Sequence, residues 1–582
     1  MKKRFINSLS NIFTLIIAFA GIIIINFGIY ISYKYLSLLI PLVCLLLILL
    51  YVKRILILKE TFKNFISKWG KRVQRKRNFN NIRGLFNYIR SENDFYLDDQ
   101  TWSDLTMDEV FSLMDRTVTS PGEEVLYKIL RIPIFDEMIL KDRNKIISLF
   151  EKDKKSREML VVELIKINRR DKIDIPELLW EDIDVDLRLK PICRILSIMP
   201  YMISLIIIFA FRDIKVMIGI YILFMAINIL VHTKLKNKIY MYASSIGYLN
   251  NLIYISNKIS KLDVEELKGY KETFKQCIKS VRAISKKAYQ VERIEGTADA
   301  LTELFYMISL IKENQFFSCI KIIREHQEDL KKIYISIGEL DAFLSIASYR
   351  FSLNNYCNPN FTNKSRYVSA EDIIHPILEK AVSNSITMDN KGIILTGSNM
   401  SGKSTFLRTI GVNAILAQSI YTVIASNYIT SFFNIMTSIS PKDNIISGKS
   451  YYFREAEAIL KIIQEKNDNY STLCVIDEVF RGTNPIERVN ASIEILNYFE
   501  KNNILAIVAT HDMELADELK YKYDLFYFME DINKQEMIFD YKLREGVCRS
   551  GNAVKLLRML DYPKEIIEKI NKHILSKEGT IL

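Results

Sequence analysis

At 582 residues, with 80 Lys and Arg against 68 Asp and Glu, the chain is too long for one compact domain and carries a net charge of +12. Its seven cysteines (Cys44, Cys193, Cys277, Cys319, Cys357, Cys474, Cys548) are scattered without a Cys-x-x-Cys pair, and none of its five histidines pairs with another at metal-ligand spacing. This pattern excludes a disulfide framework or a zinc site and points to a reducing compartment.

The first predicted elements are apolar. Met1-Lys-Lys-Arg4 precedes Ile12 to Tyr33, and Leu36 to Val52 is a second apolar run that ends at Lys53-Arg54. Both approach the roughly 20 residues needed to cross a bilayer. The first run lacks a small-x-small cleavage site and is followed at once by another span, so it reads as half of a transmembrane hairpin, not a signal peptide. A second pair follows at Ile195–Phe211 and Val216–Thr233, around the short polar loop Arg212-Asp-Ile-Lys215. Basic residues at Lys2–Arg4, at Lys71-Arg72 through Arg75-Lys-Arg77, and at Lys234, Lys236 and Lys238 place the N-terminus, the 53–190 region and everything after 233 in the cytoplasm. The expected localisation is the cell membrane, multi-pass. The run Lys71–Arg77 suits DNA phosphates or anionic lipid headgroups; without interleaved aromatics for base stacking, lipid or topology is favoured.

Between the apolar pairs, Ser120-Pro121-Gly122 is a turn, and Glu123 to Leu130 reads as a helix start with acids in its first turn. Residues 239–350 read as long amphipathic helices rich in lysine. Their aromatic and methionine positions (Phe305, Tyr306, Met307, Phe316, Phe317) read as core.

The chemistry lies beyond residue 390. Ile393 to Leu395 is a short buried strand, and Phe406 to Leu416 has helical spacing. Between them, Gly397-x4-Gly402-Lys403-Ser404 has the spacing of a phosphate-binding loop, in which glycines let successive backbone N–H groups face phosphate oxygens at a helix N-terminus. Gly397, Ser398, Asn399, Met400, Ser401, Gly402, Lys403, Ser404 and Thr405 would form the loop. Lys403 would reach the β/γ-phosphates of ATP, and the Ser404 hydroxyl would hold Mg²⁺. The apolar strand Leu473–Asp477 ends in Asp477-Glu478. There Asp477 would support the metal, and Glu478 would orient and deprotonate the attacking water. The next strand, Ile504–Thr510, ends at His511, placed to hydrogen-bond the γ-phosphate or that water. Whether Glu478 acts alone as base or through a water positioned by His511 stays open. Ser447-Gly448-Lys449-Ser450 lies between the loop and the Asp-Glu strand, and Arg481-Gly482-Thr483-Asn484 follows it.

With all five pieces in order, this region resembles the ATPase domain of the MutS mismatch-repair family, a branch of the ABC-type ATPases. Leu97-Asp98 and Met114–Pro133 resemble the start of that family's lever domain. Glu339–Ala347, Cys357–Phe361 and His375-Pro376 are similar to the entry into its ATPase domain, and Ser550–Val554 and Leu560–Glu568 to its closing helices. The resemblance implies a homodimer in which Ser447, Gly448 and Ser450 complete the partner's nucleotide site. It also implies action on mismatched or branched DNA. Only about 95 residues precede the resemblance, which leaves no room for a mismatch-reading domain, and the second apolar pair interrupts the lever.

The expected fold is therefore an α/β P-loop (ABC-type) ATPase domain plus an all-α lever domain with four transmembrane helices. The expected division is 1–55 and 191–235 for the two hairpins, 56–190 and 236–365 for the lever, and 366–582 for the ATPase domain with its C-terminal helices. The expected function is an ATP-driven dimeric clamp on DNA, with a membrane or protein partner as the alternative.

Overall fold

The computed structural model describes residues 2–91, 95–167, 169, 175–181, 185–210, 214–292, 307–397, 401–439, 451–464, 469–480, 484–533, 536–547, 557 and 562–570. The chain forms two compact units, each drawn from three stretches. The first comprises Met1–Tyr88, Asp115–Leu126 and Ile146–Ser352, and the second Ile89–Met114, Tyr127–Lys145 and Leu353–Leu582.

The first unit is helical. Helices Lys2–Tyr30 and Leu39–Ser67 run antiparallel: Gly28 lies against Leu36, Gly21 against Leu42, and Lys53 Nζ donates to Asn11 Oδ1 at 3.3 Å. Their apolar side chains face outward, with Leu15, Ile29 and Ile40 about 70 % exposed, which is the reverse of a soluble helix. Among the described residues, three helical stretches have the length and composition to cross a membrane: Ser8–Tyr30, Tyr33–Ser67 and Ile218–Asn237. Four had been expected. The remaining run, 195–211, falls in helix Leu189–Ala210, which contains Pro200. The carbonyls of Cys193 and Leu196 near its start accept from Asn314 and Asn228, and the side chains of 204, 205 and 207–210 lie outside those described. The loop 211–213 lies outside the described residues. The third candidate is the first part of a helix that continues to Ile259. In it His232 is buried, with Nδ1 2.6 Å from Glu313 Oε1.

The core of this unit contains a cluster of charges. Asp115 is fully buried and is bonded by Arg75, by Arg77 Nε at 2.8 Å and by Thr117 Oγ1 at 2.7 Å. Glu123 accepts from Arg75 at 3.0 Å and from Arg169 at 2.8 Å. Burial alone raises the Asp115 carboxyl, but Arg169, Arg75 and Arg77 outweigh it and hold it well below the usual carboxylate range. The run Lys71–Arg77 is thereby divided: Lys71, Arg72 and Lys76 are exposed, while Arg75 and Arg77 turn inward. Nearby, Asp341 accepts from Val118 N and from Thr119 N and Oγ1 at 2.6 to 3.1 Å. A Cβ on Gly122 would stand 2.1 Å from Asp341 Oδ2, so only glycine permits that approach.

The second unit is α/β. Its strands are β1 (Asn360–Phe361), β2 (Tyr367–Ile373), β3 (Asn384–Asp389), β4 (Gly392–Thr396), β5 (Asn427–Thr430), β6 (Phe433–Ser438), β7 (Ser471–Asp477), β8 (Ile504–Ala509), β9 (Tyr523–Asn533) and β10 (Glu536–Glu545). They form a four-stranded sheet, β1-β5-β2-β3, and a six-stranded sheet, β10-β9-β4-β8-β7-β6. In the larger sheet β9, β4, β8, β7 and β6 are mutually parallel, and β10 pairs antiparallel at the edge. Every residue of β4, β7 and β8 is buried, as unbroken apolar strands of a sheet covered on both faces require. Because these strands are parallel and Asp477 pairs in register with Ala509, the loops after β4, β7 and β8 leave from one edge.

Candidate nucleotide site

The site gathers at that edge. After β4 the chain turns at Gly397, with φ +137°. It re-enters helix at Gly402, with φ +109°, as the N-cap of helix Lys403–Ile420. Both angles are open to glycine and strained for other residues, so the spacing has a backbone cause. Ser398, Asn399 and Met400 lie outside the described residues. Ser401 is buried, and Thr405 faces the cavity described below. Lys403, 5 % exposed, donates from Nζ to the Gly397 carbonyl at 2.6 Å.

The two strand-end groups come together as the order of the motifs implied. Ser404 Oγ donates to Asp477 Oδ2 at 2.6 Å, so the two oxygen donors assigned to Mg²⁺ are already neighbours. That pairing of a hydroxyl with a carboxylate suits a hard, oxygen-preferring cation. Glu478 is held by its N–H donating to the Ala509 carbonyl at 2.9 Å and adopts φ +65°. A non-glycine residue in that region is a local cost that persists where surroundings over-determine it, commonly at reactive positions. Its Oε1 is 2.9 Å from His511 Nε2, and both side chains are part-exposed. Beside them Arg488 holds Asp512 through two bonds of 2.9 and 2.7 Å. Ser447, Gly448, Lys449 and Ser450, the Arg481–Thr483 loop and Ser550–Val554 lie outside the described residues.

Motif reading had not included the cavity of about 300 Å³ that adjoins the loop, lined among others by His375, Asn384, Thr405, Phe406, Phe528 and Tyr541. His375 is buried. Its Nδ1 accepts from Ile377 N at 3.3 Å, so Nε2 carries the hydrogen, and that Nε2 has no protein partner. Burial and then the charge of Arg408 bring its pKa down to about 4, so the ring is neutral at pH 7. A neutral donor among apolar and aromatic walls suits a flat heteroaromatic ring. The dipeptide His375-Pro376 was the one signal singled out near it; the chain around it and the phosphate-loop helix supply most of the other walls, and Phe528 and Tyr541 come from distant strands.

A glycine-bounded loop opening a helix, with a carboxylate pair and a histidine at the adjoining strand ends, defines a phosphate-loop α/β domain of the ATPase type. Residues 393–577 match the family described as MutS domain V. That match lies in the nucleotide domain, and it is there that the chain is similar to the MutS family. It is 28 % identical over 311 residues to the DNA mismatch repair protein MutS of Petrotoga mobilis, covering 50 % of this chain and 37 % of that protein. It is 30 % identical over 283 residues to the DNA mismatch repair protein MSH3 of Saccharomyces cerevisiae (46 % and 28 %). To the human MutS protein homolog 4 it is 30 % identical over 310 residues (49 % and 32 %). The aligned part thus spans well under half the length of these relatives.

Proposed function

We propose that the chain is a membrane-anchored ATPase that binds and hydrolyses Mg-ATP to close and open a dimer, and that it acts on DNA. The observation that carries this reading is the convergence of Lys403, the Ser404–Asp477 pair and the Glu478–His511 pair at the edge of one parallel sheet. The backbone of 397–405 and Lys403 bind the phosphates, and the cavity at His375 takes the base. Mg²⁺, held by Ser404 and Asp477, would neutralise charge on the phosphates. Glu478 accepts the proton of the attacking water as its oxygen bonds to the γ-phosphorus and the bond to the β-phosphate oxygen breaks. His511 fixes Glu478 and the water from Nε2. Ser447, Gly448 and Ser450 complete the partner's site, and closure of the two nucleotide domains moves the helical units.

DNA enters this reading from the relatives' names, and branched or mismatched duplex is the substrate class to test. A second reading, a membrane or protein partner without DNA, is favoured by the outward apolar faces of helices Lys2–Tyr30 and Leu39–Ser67. The experiment uses full-length Glu478→Gln protein in detergent, loaded with ATP and offered homoduplex, mismatched and four-way-junction DNA at two salt concentrations. Tight, structure-selective binding supports the DNA reading. ATP occupancy without DNA binding at low salt supports the second. Lys403→Ala should abolish nucleotide binding; ATP bound by that variant at normal affinity would sink the phosphate-loop assignment.

A further inference from the structure

The first unit holds a cavity of about 740 Å³ that the ATPase reading leaves unused. Its walls come from the chain beyond helix Leu39–Ser67, from the first turn of helix Ser120–Arg131 and from Arg169. Four cations line it: Arg75, Lys76, Arg77 and Arg169. Asn78, Asn80 and Asn81 add three side-chain amides, and Phe79 and Ile82 are its apolar residues. Walls so polar suit a charged, hydroxyl-bearing ligand better than an apolar one.

The charges around this cavity do not balance. Asp115 and Glu123 are shared among the three arginines, and Arg75 and Arg169 each reach both. Glu124, the other acid on the wall, is 7 % exposed and accepts from Tyr334 Oη at 3.0 Å. Four cations thus stand against three carboxylates. Lys76 is exposed and makes no hydrogen bond or ion pair among the described residues. The buried Nε–H groups of Arg75 and Arg169 have no acceptor. Burial lowers the Arg75 pKa from 12.5 even though Asp115 and Glu123 oppose it, so its charge is under-compensated. A site with surplus donors and surplus positive charge lacks an anion rich in acceptor oxygens. A phosphate monoester supplies three such oxygens and about two negative charges. We propose that the cavity binds a soluble phosphate ester of a polyol or sugar, with the cations on the phosphate and the asparagine amides on the hydroxyls. A phospholipid headgroup offers the same chemistry, but the walls give its acyl chains no apolar slot. Lys403 and Glu478 take no part, so this site stands apart from the ATPase reading.

The test is equilibrium dialysis of radiolabelled glycerol 3-phosphate against the full chain in neutral detergent. The chain carries Lys403→Ala, so that the phosphate loop does not take the probe. Saturable binding is expected, and Lys76→Glu should weaken it about tenfold or more, the size of a lost charge-assisted bond. Because Lys76 bonds to nothing in the chain, that variant should keep the parent's melting temperature. Lys71→Glu makes the same charge change outside the cavity and should leave binding within about twofold. Arg169→Gln should weaken binding at least as much as Lys76→Glu. Absence of binding at millimolar probe overturns the proposal, as does equal weakening by Lys71→Glu, which would mark a general surface charge. Unlabelled phosphatidylglycerol in the same detergent and duplex DNA should each fail to displace the probe. Displacement by the lipid would make a headgroup the ligand, displacement by DNA would make it a nucleic-acid backbone, and either overturns the soluble ester.

Discussion

The two units use the same side chains in opposite ways. In the first, Asp115 is enclosed by Arg75, Arg77 and Thr117, and Glu123 by Arg75 and Arg169. In the second, Glu478 sits part-exposed at a strand end with a positive φ, its Oε1 2.9 Å from His511 Nε2. Enclosed carboxylates with guanidinium partners hold segments of chain together. Carboxylates at strand ends beside a glycine loop, one of them part-exposed, are placed to act on a ligand. Charge count and net charge do not separate the two cases; burial and partners do.

The largest expected effect breaks the site and spares the fold. Glu478→Gln should lower ATP turnover by about 10²–10⁴-fold, the range for a positioned general base, without lowering the melting temperature. Phosphate release and a thermal melt on one preparation check both halves. Turnover at the normal rate would remove Glu478 from the base role and leave a water positioned by His511.

The reverse case is Asp115→Ala. It strips buried guanidinium groups of their shared partner and should destabilise the first unit by about 3–5 kcal/mol, as breaking buried ion pairs does. Chemical denaturation followed through Trp69 and Trp180 reads that loss. ATP affinity should be unchanged in the fraction that folds; a matching loss of affinity would erase the contrast between the units.

A third prediction concerns pH. Asp341 is buried, and that burial pushes its pKa up to about 6 from 3.8 against the donors at Val118 and Thr119. The folded state therefore favours the protonated form more than the unfolded state does. Its contribution is fully present below pH 3.8 and is lost as pH rises through about 6. The change is roughly 3 kcal/mol at 1.36 kcal/mol per unit. Asp341→Asn removes this titration, so the gap between parent and variant in denaturation midpoint should change between pH 4 and pH 7. A gap that stays constant would show that Asp341 does not titrate in this window.

Much of the site was legible because its determinants are local. Gly397 and Gly402 must take positive φ within six residues of each other, and Asp477, Glu478 and His511 each follow an apolar run that can only be a buried strand. The cavity at His375 was not legible, since Tyr541 and Phe528 reach it from strands more than 120 residues farther along. The charged core was hidden for the same reason: nothing near Arg75 in sequence announces Asp115 or Arg169. The four apolar runs showed hydropathy but not their hydrogen-bond partners, and Asn228 and Asn314 bonding onto helix Leu189–Ala210 is invisible to a hydropathy window. Helix Asp99–Asp104 carries no motif in the sequence, yet it is bonded to the helix of the phosphate loop.

The smallest effect decides what the basic run after the first apolar pair does. Hydropathy and charge treat Lys71 to Arg77 as one patch, but Arg75 and Arg77 are paired inward, while Lys71, Arg72 and Lys76 are exposed and available to an outside anion. Changing these three to serine should weaken binding to vesicles rich in anionic lipid by about 1 kcal/mol per residue, less at high salt, with no change in melting temperature. Arg75→Ser and Arg77→Ser should do the opposite, costing stability through Asp115 while leaving vesicle affinity nearly intact. The apolar helices would mask so small a difference in a reconstituted protein. The comparison is therefore made with the full chain already inserted in neutral nanodiscs and then offered anionic vesicles, and with the same protein for the melts. If the inward arginines weaken vesicle binding of the full chain as much as the outward set does, the run is one electrostatic surface after all, and the division between paired and available charge fails at its most exposed point.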